Sequence, residues 1–555
     1  MVGVTAADTP ECLTDLLLAR RESPKRLTAI RGDQETSYSF AELCTRSLTA
    51  SAALRDRAGT DLAGARVVIC LADTLAFAVA FFGAVMAGAV PVPGPSRLGV
   101  QASHDRRLRA ILRSAGPAAV VADSAAIGRV QAVSGGRFLV IDGAELNSAG
   151  PTPPGPDAPS PVAYLQYTSG SVSDPEPVSI SSRNVVAQLA QAATVFAEDH
   201  GCVCVNWVPV YHDMGLVTSI LRPLWSNYDS VLLDPMDFVR DPGTWLRAIS
   251  RHRATHVSAP DFGYALCARK VTDHSGVELS SLRVARNAGE MVRVTTMEEF
   301  SNAFAPDGFR YEMFAPSYGL AEATLTVTTC LPHERPRLIP VSKWALSLGT
   351  VARPESEADA VQLVSAGPPL PGTSVWIQPD GGPATDRDRV LGEVVISGPQ
   401  VAGDETTYAT GDIGFLADGE LVLIGRARHR FQVRGQNYYS TELEACVADE
   451  EPLVRRGRIA VFACERADRD QEVVVLAELR RGVTVQPSDE ARAQAAIRDA
   501  LRRAFGLTPD TVALVPCGSL PVTTSGKLER DRCRADYQER GSPLAAAPVG
   551  HSVPS

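Results

Sequence analysis

Short β-branched runs alternate with longer helix-period stretches through the first third of the chain. Arg66-Val-Val-Ile-Cys-Leu71 predicts a buried strand, and Ala119–Ala122 and Phe138–Asp142 predict two more. Between them the uncharged stretch Thr74–Val92 approaches the length of a membrane span. It is rich in Ala and Gly, however, Asp73 abuts it, and Pro91 and Pro93 break it, so a buried helix running into a buried strand is expected. This rhythm predicts a parallel α/β architecture. Pro151–Pro161 is Pro-rich and reads as a surface connector. Shorter strands are expected at Ser374–Ile377, Glu393–Ser397 and Glu420–Arg426, and a small α/β unit from about Arg428 to Tyr537. The tail from Gly541 is rich in Pro, Ala and Ser and is expected to be disordered. No internal repeat is visible.

Composition narrows the classes. At 555 residues the chain exceeds one hydrophobic core, so two or more domains are expected. An apolar content of 45% and a charged content of 21% fit an ordinary globular protein. The net charge of −10 argues against a nucleic-acid partner, which demands a basic face. The eleven cysteines show no metal-type spacing, and Cys202-Val-Cys204 alternates within an apparent strand, as core positions do. Reduced thiols in a cytoplasmic enzyme fit best. The N-terminus lacks a basic-then-apolar signal pattern, so neither export nor a membrane association is expected.

Only four of the 54 basic residues are lysine: Lys25, Lys270, Lys343 and Lys527. Where a generic cation suffices, this sequence writes arginine. Lys527 lies in the Thr/Ser/Gly loop Leu520–Arg530, where a compact ammonium on a flexible stem can reach into a site as a point charge. Far upstream, the strand-like Tyr164–Tyr167 runs into the hydroxyl- and glycine-rich turn Thr168-Ser-Gly-Ser171, then into a second strand-like run and a helix start. Backbone N–H groups and hydroxyls in such a loop can converge on phosphate oxygens. Taken alone, a Ser/Gly/Pro cluster is more often only a loop. Three further segments change the balance: Trp207–Leu216, Tyr318–Thr324, and Thr410–Phe415 leading to Gly425-Arg426.

In this order the segments resemble the adenylate-forming superfamily of acyl-CoA synthetases, luciferases and peptide-synthetase adenylation domains, and most of all its fatty acyl-AMP ligases. The resemblance covers the chain from about Leu13 to Tyr537. It is carried by Leu165-Gln-Tyr-Thr-Ser-Gly-Ser171, Tyr211-His-Asp-Met-Gly-Leu216, Tyr318-Gly-Leu-Ala-Glu-Ala-Thr324 and Arg434-Gly-Gln-Asn-Tyr-Tyr439. The stretch between Cys330 and Ser365 is similar to the insertion that separates these ligases from CoA-using relatives. The resemblance implies a large N-terminal ATP- and acyl-binding domain over 1–426, a small mobile C-terminal α/β lid over 427–540, and the tail 541–555.

It also implies a reaction joining a carboxylic acid to the α-phosphate of ATP, with Mg²⁺ and an acyl carrier protein as partners. In that scheme Thr168, Ser169, Gly170 and Ser171 meet the pyrophosphate end, and Glu322 holds Mg²⁺. Tyr318, Gly319, Asp412 and Arg426 serve the nucleotide, Asp412 accepting from the ribose hydroxyls. Asn287, Ala288, Gly289 and Glu290 lie near the adenine and acyl pocket. Lys527 bridges the substrate carboxylate and the α-phosphate. His212 lines the acyl channel, although a histidine after a strand is nearly as often a core residue. For Glu322 the competing account is a charge at a helix start, and for Thr410-Gly-Asp412 an ordinary turn.

Three departures from the family pattern stand out. The phosphate loop normally continues Pro-Lys-Gly, but here it reads Pro175-Glu176-Pro177. That exchange of cation for anion is worth roughly 0.7–3 kcal/mol per charge unit at ~6 Å, depending on effective dielectric. Val401–Thr410 is abbreviated, and Arg428-His429 stands where the branch has Lys-Asp. Other readings therefore stay open: a CoA ligase, an enzyme for an unusual small acid, or a binding homologue without catalysis.

Overall fold

The computed structural model describes residues 10–96, 102–146, 155–168, 176–403, 407–433, 435–466, 469–483, 485–523 and 526–540. The expected tail 541–555 and part of the Pro-rich connector lie outside the described residues.

The expected strand at residue 66 is Arg66–Cys70, and it pairs in parallel with Val90–Pro93 and Ala119–Ala122, which in turn pairs with Leu139–Asp142. The uncharged stretch splits as its prolines dictate, into the helix Thr74–Met86 and the strand Val90–Pro93. Asp73 caps that helix by accepting the Ala76 N–H at 2.8 Å. The helix is buried on nearly all sides because it packs between this sheet and the helix Phe40–Ala58. An added Cβ on Gly83 would sit 2.8 Å from the Ala50 Cβ, so glycine sets the distance between the two helices.

A larger sheet runs beside it, in the order Thr326–Thr329, Phe314–Gly319, Val284–Asn287, His256–Ala259, Val203–Asn206, Asp229–Leu233, Arg26–Arg31 and Gln34–Ser39. Its inner strands are parallel, and the strand at each edge is antiparallel. Parallel strands send all their carboxyl ends to one side, and ligands of open α/β sheets bind there. An antiparallel sheet follows (Ser374–Gln378, Gly392–Ser397, Tyr408–Ala417, Glu420–Arg426), and its last strand ends at Arg426. The inserted segment folds as a hairpin of Leu338–Ser342 and Ala360–Val364 around a short helix, Lys343–Ser347.

The C-terminal unit has its own sheet of Val454–Arg466, Arg469–Leu479 and Thr511–Val515 with its own apolar core, and the helices Ser440–Glu450 and Pro487–Phe505 pack on it. The protein is thus a large N-terminal α/β domain followed by a smaller C-terminal one. No helix among the described residues is long and apolar enough to cross a membrane.

Candidate active site

The loops at the carboxyl ends of the parallel strands carry most of the sequence motifs. Asn287 ends its strand, and its Nδ2 donates to Asp261 Oδ1 at 2.9 Å. Asp261 also accepts the Arg293 N–H and the Thr296 hydroxyl. Burial, with the charge of Glu290 adding to it, still pushes its carboxyl up to about 6. Ala288 is buried, and its N–H donates to Ala259 O at 3.2 Å. Gly289 takes φ +85°, which turns the chain away from the sheet and leaves its carbonyl exposed to the site. Glu290 is committed locally: its Oε1 accepts the Phe262 N–H at 2.6 Å, next to the start of the helix Asp261–Lys270.

Lys527 meets this turn. Its loop is a tight hairpin in which Val522 bridges Leu528, Thr523 N donates to Lys527 O at 2.7 Å, and Lys527 N donates to Thr523 Oγ1 at 3.0 Å. Arg458 holds the loop tip by donating to Gly526 O at 2.7 Å. From that hairpin Lys527 Nζ donates to the Gly289 carbonyl, across the two domains. His212 is close enough that Lys527 and Arg107 both act on it. Burial first, then these cations, hold its imidazole well below the usual range, so it is neutral, and its Nε2 has no partner among the described residues. Asp213, the next residue, is raised by burial while Lys527 opposes the shift.

Glu322 sits in a single 3₁₀ turn, Ala321–Ala323, directly after the strand Phe314–Gly319. An added Cβ on Gly319 would fall 1.7 Å from Leu325 O, so only glycine permits the tight return to the next strand. Thr324 takes φ +61°, costly for a β-branched residue, and its hydroxyl is anchored on Gln400 O at 2.8 Å. Burial raises the Glu322 carboxyl, and the Tyr408 hydroxyl hydrogen-bonds to it. Among the described residues no three His, Cys, Asp or Glu side chains gather as a metal cage. A lone carboxylate does fit Mg²⁺ when phosphates and water supply its other oxygens.

Asp412 and Arg426 face each other on neighbouring strands, with Arg426 Nε 3.0 Å from Asp412 Oδ1. The Tyr318 hydroxyl donates to Asp412 Oδ2 at 2.7 Å. These three residues form one cluster, and Arg426 also acts on Glu322 and Tyr408.

At the phosphate loop Thr168 is described, whereas Ser169, Gly170 and Ser171 lie outside the described residues, as does Arg434 of the later motif. Thr168 N donates to Glu176 O at 3.2 Å, and Arg107 donates to the carbonyls of Tyr167 and Thr168. The exposed Glu176 acts on Tyr408, whose phenol is pushed up to about 12 by burial and by its hydrogen-bonded neighbour Glu322. Glu176 therefore adds negative charge beside the carboxylate expected to carry the metal. Glu176→Lys is expected to lower KM for ATP about tenfold at low salt, because two charge units at solvent-exposed range are worth that much. The gain should shrink at high ionic strength. Pyrophosphate exchange at two salt concentrations checks this, and a loss of activity would show that the carboxylate has a role of its own.

Motif spacing does not expose Tyr408, Arg107 or Asp261, which touch site residues from distant parts of the chain. Arg286, one residue before Asn287, escapes it too, although a charged residue inside the apolar run Val284-Ala-Arg-Asn287 is a readable anomaly.

Comparisons with known proteins show the family. The AMP-binding enzyme family matches residues 19–403. The long-chain-fatty-acid–AMP ligase FadD26 of Mycobacterium marinum is 32% identical over 524 residues, 86% of this chain and 88% of the relative. The medium-chain-fatty-acid–[acyl-carrier-protein] ligase JamA of Moorena producens is 31% identical over 549 residues, 92% of this chain and 91% of the relative. A solved chain from structural work on fatty acyl-adenylate ligases of E. coli and L. pneumophila superposes with a TM-score of 0.89 at 29% identity, covering 97% of this chain and 99% of that one. Site geometry, family match and full-length similarity together make this chain a member of the AMP-binding, adenylate-forming enzymes, close to the fatty acyl-AMP ligases.

Proposed function

We propose that the enzyme activates a carboxylic acid with ATP as an acyl-adenylate and passes the acyl group to the phosphopantetheine thiol of a carrier protein. The observation that carries this reading is the reach of Lys527 from the C-terminal domain to the Gly289 carbonyl. It brings a mobile cation to the carboxyl ends of the parallel strands. In the first step a carboxylate oxygen attacks the α-phosphorus of ATP, and the bond to the pyrophosphate oxygen breaks. Both reactants are anions, so the protein's task is alignment and charge neutralisation.

Lys527 bridges the carboxylate and the α-phosphate. Thr168 and the loop after it, including Ser169, Gly170 and Ser171, take the pyrophosphate end. Asp412 takes the ribose hydroxyls with Arg426 and Tyr318 behind it, and Gly319 lets the backbone pass close to the nucleotide. Asn287 to Glu290 form the adenine and acyl side, where neutral His212 lines the acyl path. Glu322 would hold Mg²⁺, which supplies charge neutralisation on the phosphates.

Domain limits at 426/427 are supported by the strand that ends at Arg426 and the 3₁₀ turn Ala427–His429 that follows. Transfer to a carrier is supported by the name of the JamA relative and by the inserted hairpin. Its helix Lys343–Ser347 packs on the strand Gln436–Tyr439 of the C-terminal unit, and Asn437 Nδ2 reaches Ser347 O at 3.5 Å. An insertion braced against the lid restrains the rotation by which CoA would gain access. ATP as substrate and reduced cysteines suit a cytoplasmic location.

Two measurements test the proposal. ATP–pyrophosphate exchange should appear with a suitable acid in a panel. Acyl transfer to a phosphopantetheinylated carrier should exceed acyl-CoA formation by at least tenfold, a difference of about 1.4 kcal/mol. Equal acyl-CoA production would favour a CoA ligase. Absence of exchange with every acid would favour a binding homologue.

A further inference from the structure

Lys527 is aimed by groups that do not touch the reacting atoms. An ammonium on a long flexible stem arrives in one place only when the backbone beneath it is held still. The hairpin supplies part of that hold: Gly526 N donates to Thr523 O at 2.9 Å, and Glu529 N donates to Pro521 O at 3.0 Å. At its foot, Leu520 N donates at 2.8 Å to Glu478, which Arg455 pairs with. Two further arginines act on either side of Lys527 itself.

Arg458 reaches the tip from the strand Val454–Arg466. The pairing of that strand with Arg469–Leu479 slips between Val454 and Ile459, and Gly457 takes φ +73° inside the slip. Such an irregularity re-aims the side chains of the strand that carries it. Arg458 Nη1 donates to Gly457 O at 3.0 Å and to Gly526 O at 2.7 Å. Gly526, the residue before Lys527, takes φ +81°, a conformation that glycine adopts without strain. A charged donor holds its carbonyl more firmly than a neutral one would.

Arg530 acts from the other side, where it opens the helix Arg530–Arg540. It grips Glu444 with both arms of its fork, Nε at 2.7 Å from Oε1 and Nη2 at 2.6 Å from Oε2. Glu444 is buried and also accepts the Val461 N–H at 3.3 Å, which ties it to the strand that carries Arg458. The large domain answers these two cations with one carboxylate. Glu290 acts on both Arg458 and Arg530, is fixed by the Phe262 N–H, and adjoins Gly289, whose carbonyl receives Lys527. Because Glu478 already secures the foot of the hairpin, the bond from Arg458 to the tip is left with one effect, the direction of Lys527.

We propose that Arg458 is a positioning residue for adenylation: its hydrogen bond to the Gly526 carbonyl aims Lys527 at the point where the carboxylate and the α-phosphate join. Arg530 and Glu444 fix the far side of the same hairpin. The inference rests on the acyl-adenylate reading, since it assigns Arg458 a part in the step that needs Lys527.

The first test is ATP–pyrophosphate exchange by the full chain with the best acid of the panel. Arg458→Met is expected to lower kcat about 10–100-fold, the cost of a displacement near 1 Å at a reacting centre, with KM for ATP within about twofold of wild type. In a Lys527→Ala background the same substitution should change the residual rate by less than about twofold, because the group that it aims is gone. Arg458→Lys should keep at least about a third of the activity, since one donor atom makes the contact with Gly526. Equal fold-losses with and without Lys527 overturn the proposal, and so does full activity in Arg458→Met or a lysine variant as poor as the methionine one. The second test needs no acid. Acetylation by N-hydroxysuccinimidyl acetate, read by mass spectrometry, should modify Lys527 at least about threefold more slowly than the exposed Lys270, and Arg458→Met should abolish that difference. Undiminished protection of Lys527 in the variant overturns the proposal. Arg458→Gln, shorter and neutral, replaces the methionine variant in both tests if that variant does not fold. If no acid supports exchange, the adenylation reading fails, and the labelling still decides whether Arg458 holds Lys527 in place.

Discussion

Lys527→Ala is expected to lower acyl-adenylate formation by about 10²–10³-fold or more, the range found when one preorganised donor to developing charge is removed. The reaction brings two anions together, and in this structure Lys527 stands at the Gly289 carbonyl, where the carboxylate and the α-phosphate are proposed to meet. Lys527→Arg is expected to fail as well, because a planar fork cannot replace a point charge at the end of a pinned hairpin. Stability should change little, by about 1 kcal/mol, the worth of one hydrogen bond from a half-buried loop. Pyrophosphate exchange read beside thermal melting separates the two effects. Exchange at the wild-type rate in either variant would mean that another group supplies the charge.

Glu198→Leu is expected to destabilise the large domain by about 3–5 kcal/mol, since it leaves the Arg222 guanidinium buried without its counter-ion. Both side chains are almost fully enclosed, at 5% and 0% exposure. The same carboxylate accepts from Ser226 and Tyr228, so these hydroxyls lose their anchor together with the guanidinium. Arg222 also stacks over Phe196, 4.4 Å from the ring centre, which fixes its position rather than letting it escape to water. Denaturant titration of the variant gives the number. Adding Arg222→Leu should restore part of the stability, because a buried apolar pair costs less than one unpaired ion. A loss below about 1 kcal/mol in the single variant would mean that water reaches the pair.

Much of the fold is legible in the sequence because apolar periodicity reports directly on burial. Arg66–Cys70, the helix at residue 74 and the strand ending at Arg426 follow from which positions shun water and where proline forbids a backbone donor. The pairing of Asp412 with Arg426 is also within reach, since a hairpin brings near neighbours in sequence side by side. The rarity of lysine is enough to single out Lys527, since composition alone shows where a common residue is not used.

Periodicity says that a side chain is buried but not what it meets there. Tyr318 reaches Asp412 across 94 residues, and Lys527 reaches Gly289 across 238. Asn287 binds Asp261, and Glu290 binds the Phe262 backbone, contacts that no local pattern encodes. Arg286 is the sharpest case. In the sequence a charge within a strand-like run marks it as unusual, but only the parallel packing of three strands shows that it stands beside a pair whose charges already cancel. The chain itself determined the elements, the order of the motifs and the family chemistry, because these depend on local solvation and on spacing. Tertiary structure alone decided which charges are compensated, because compensation is a sum over groups brought together from distant parts of the chain.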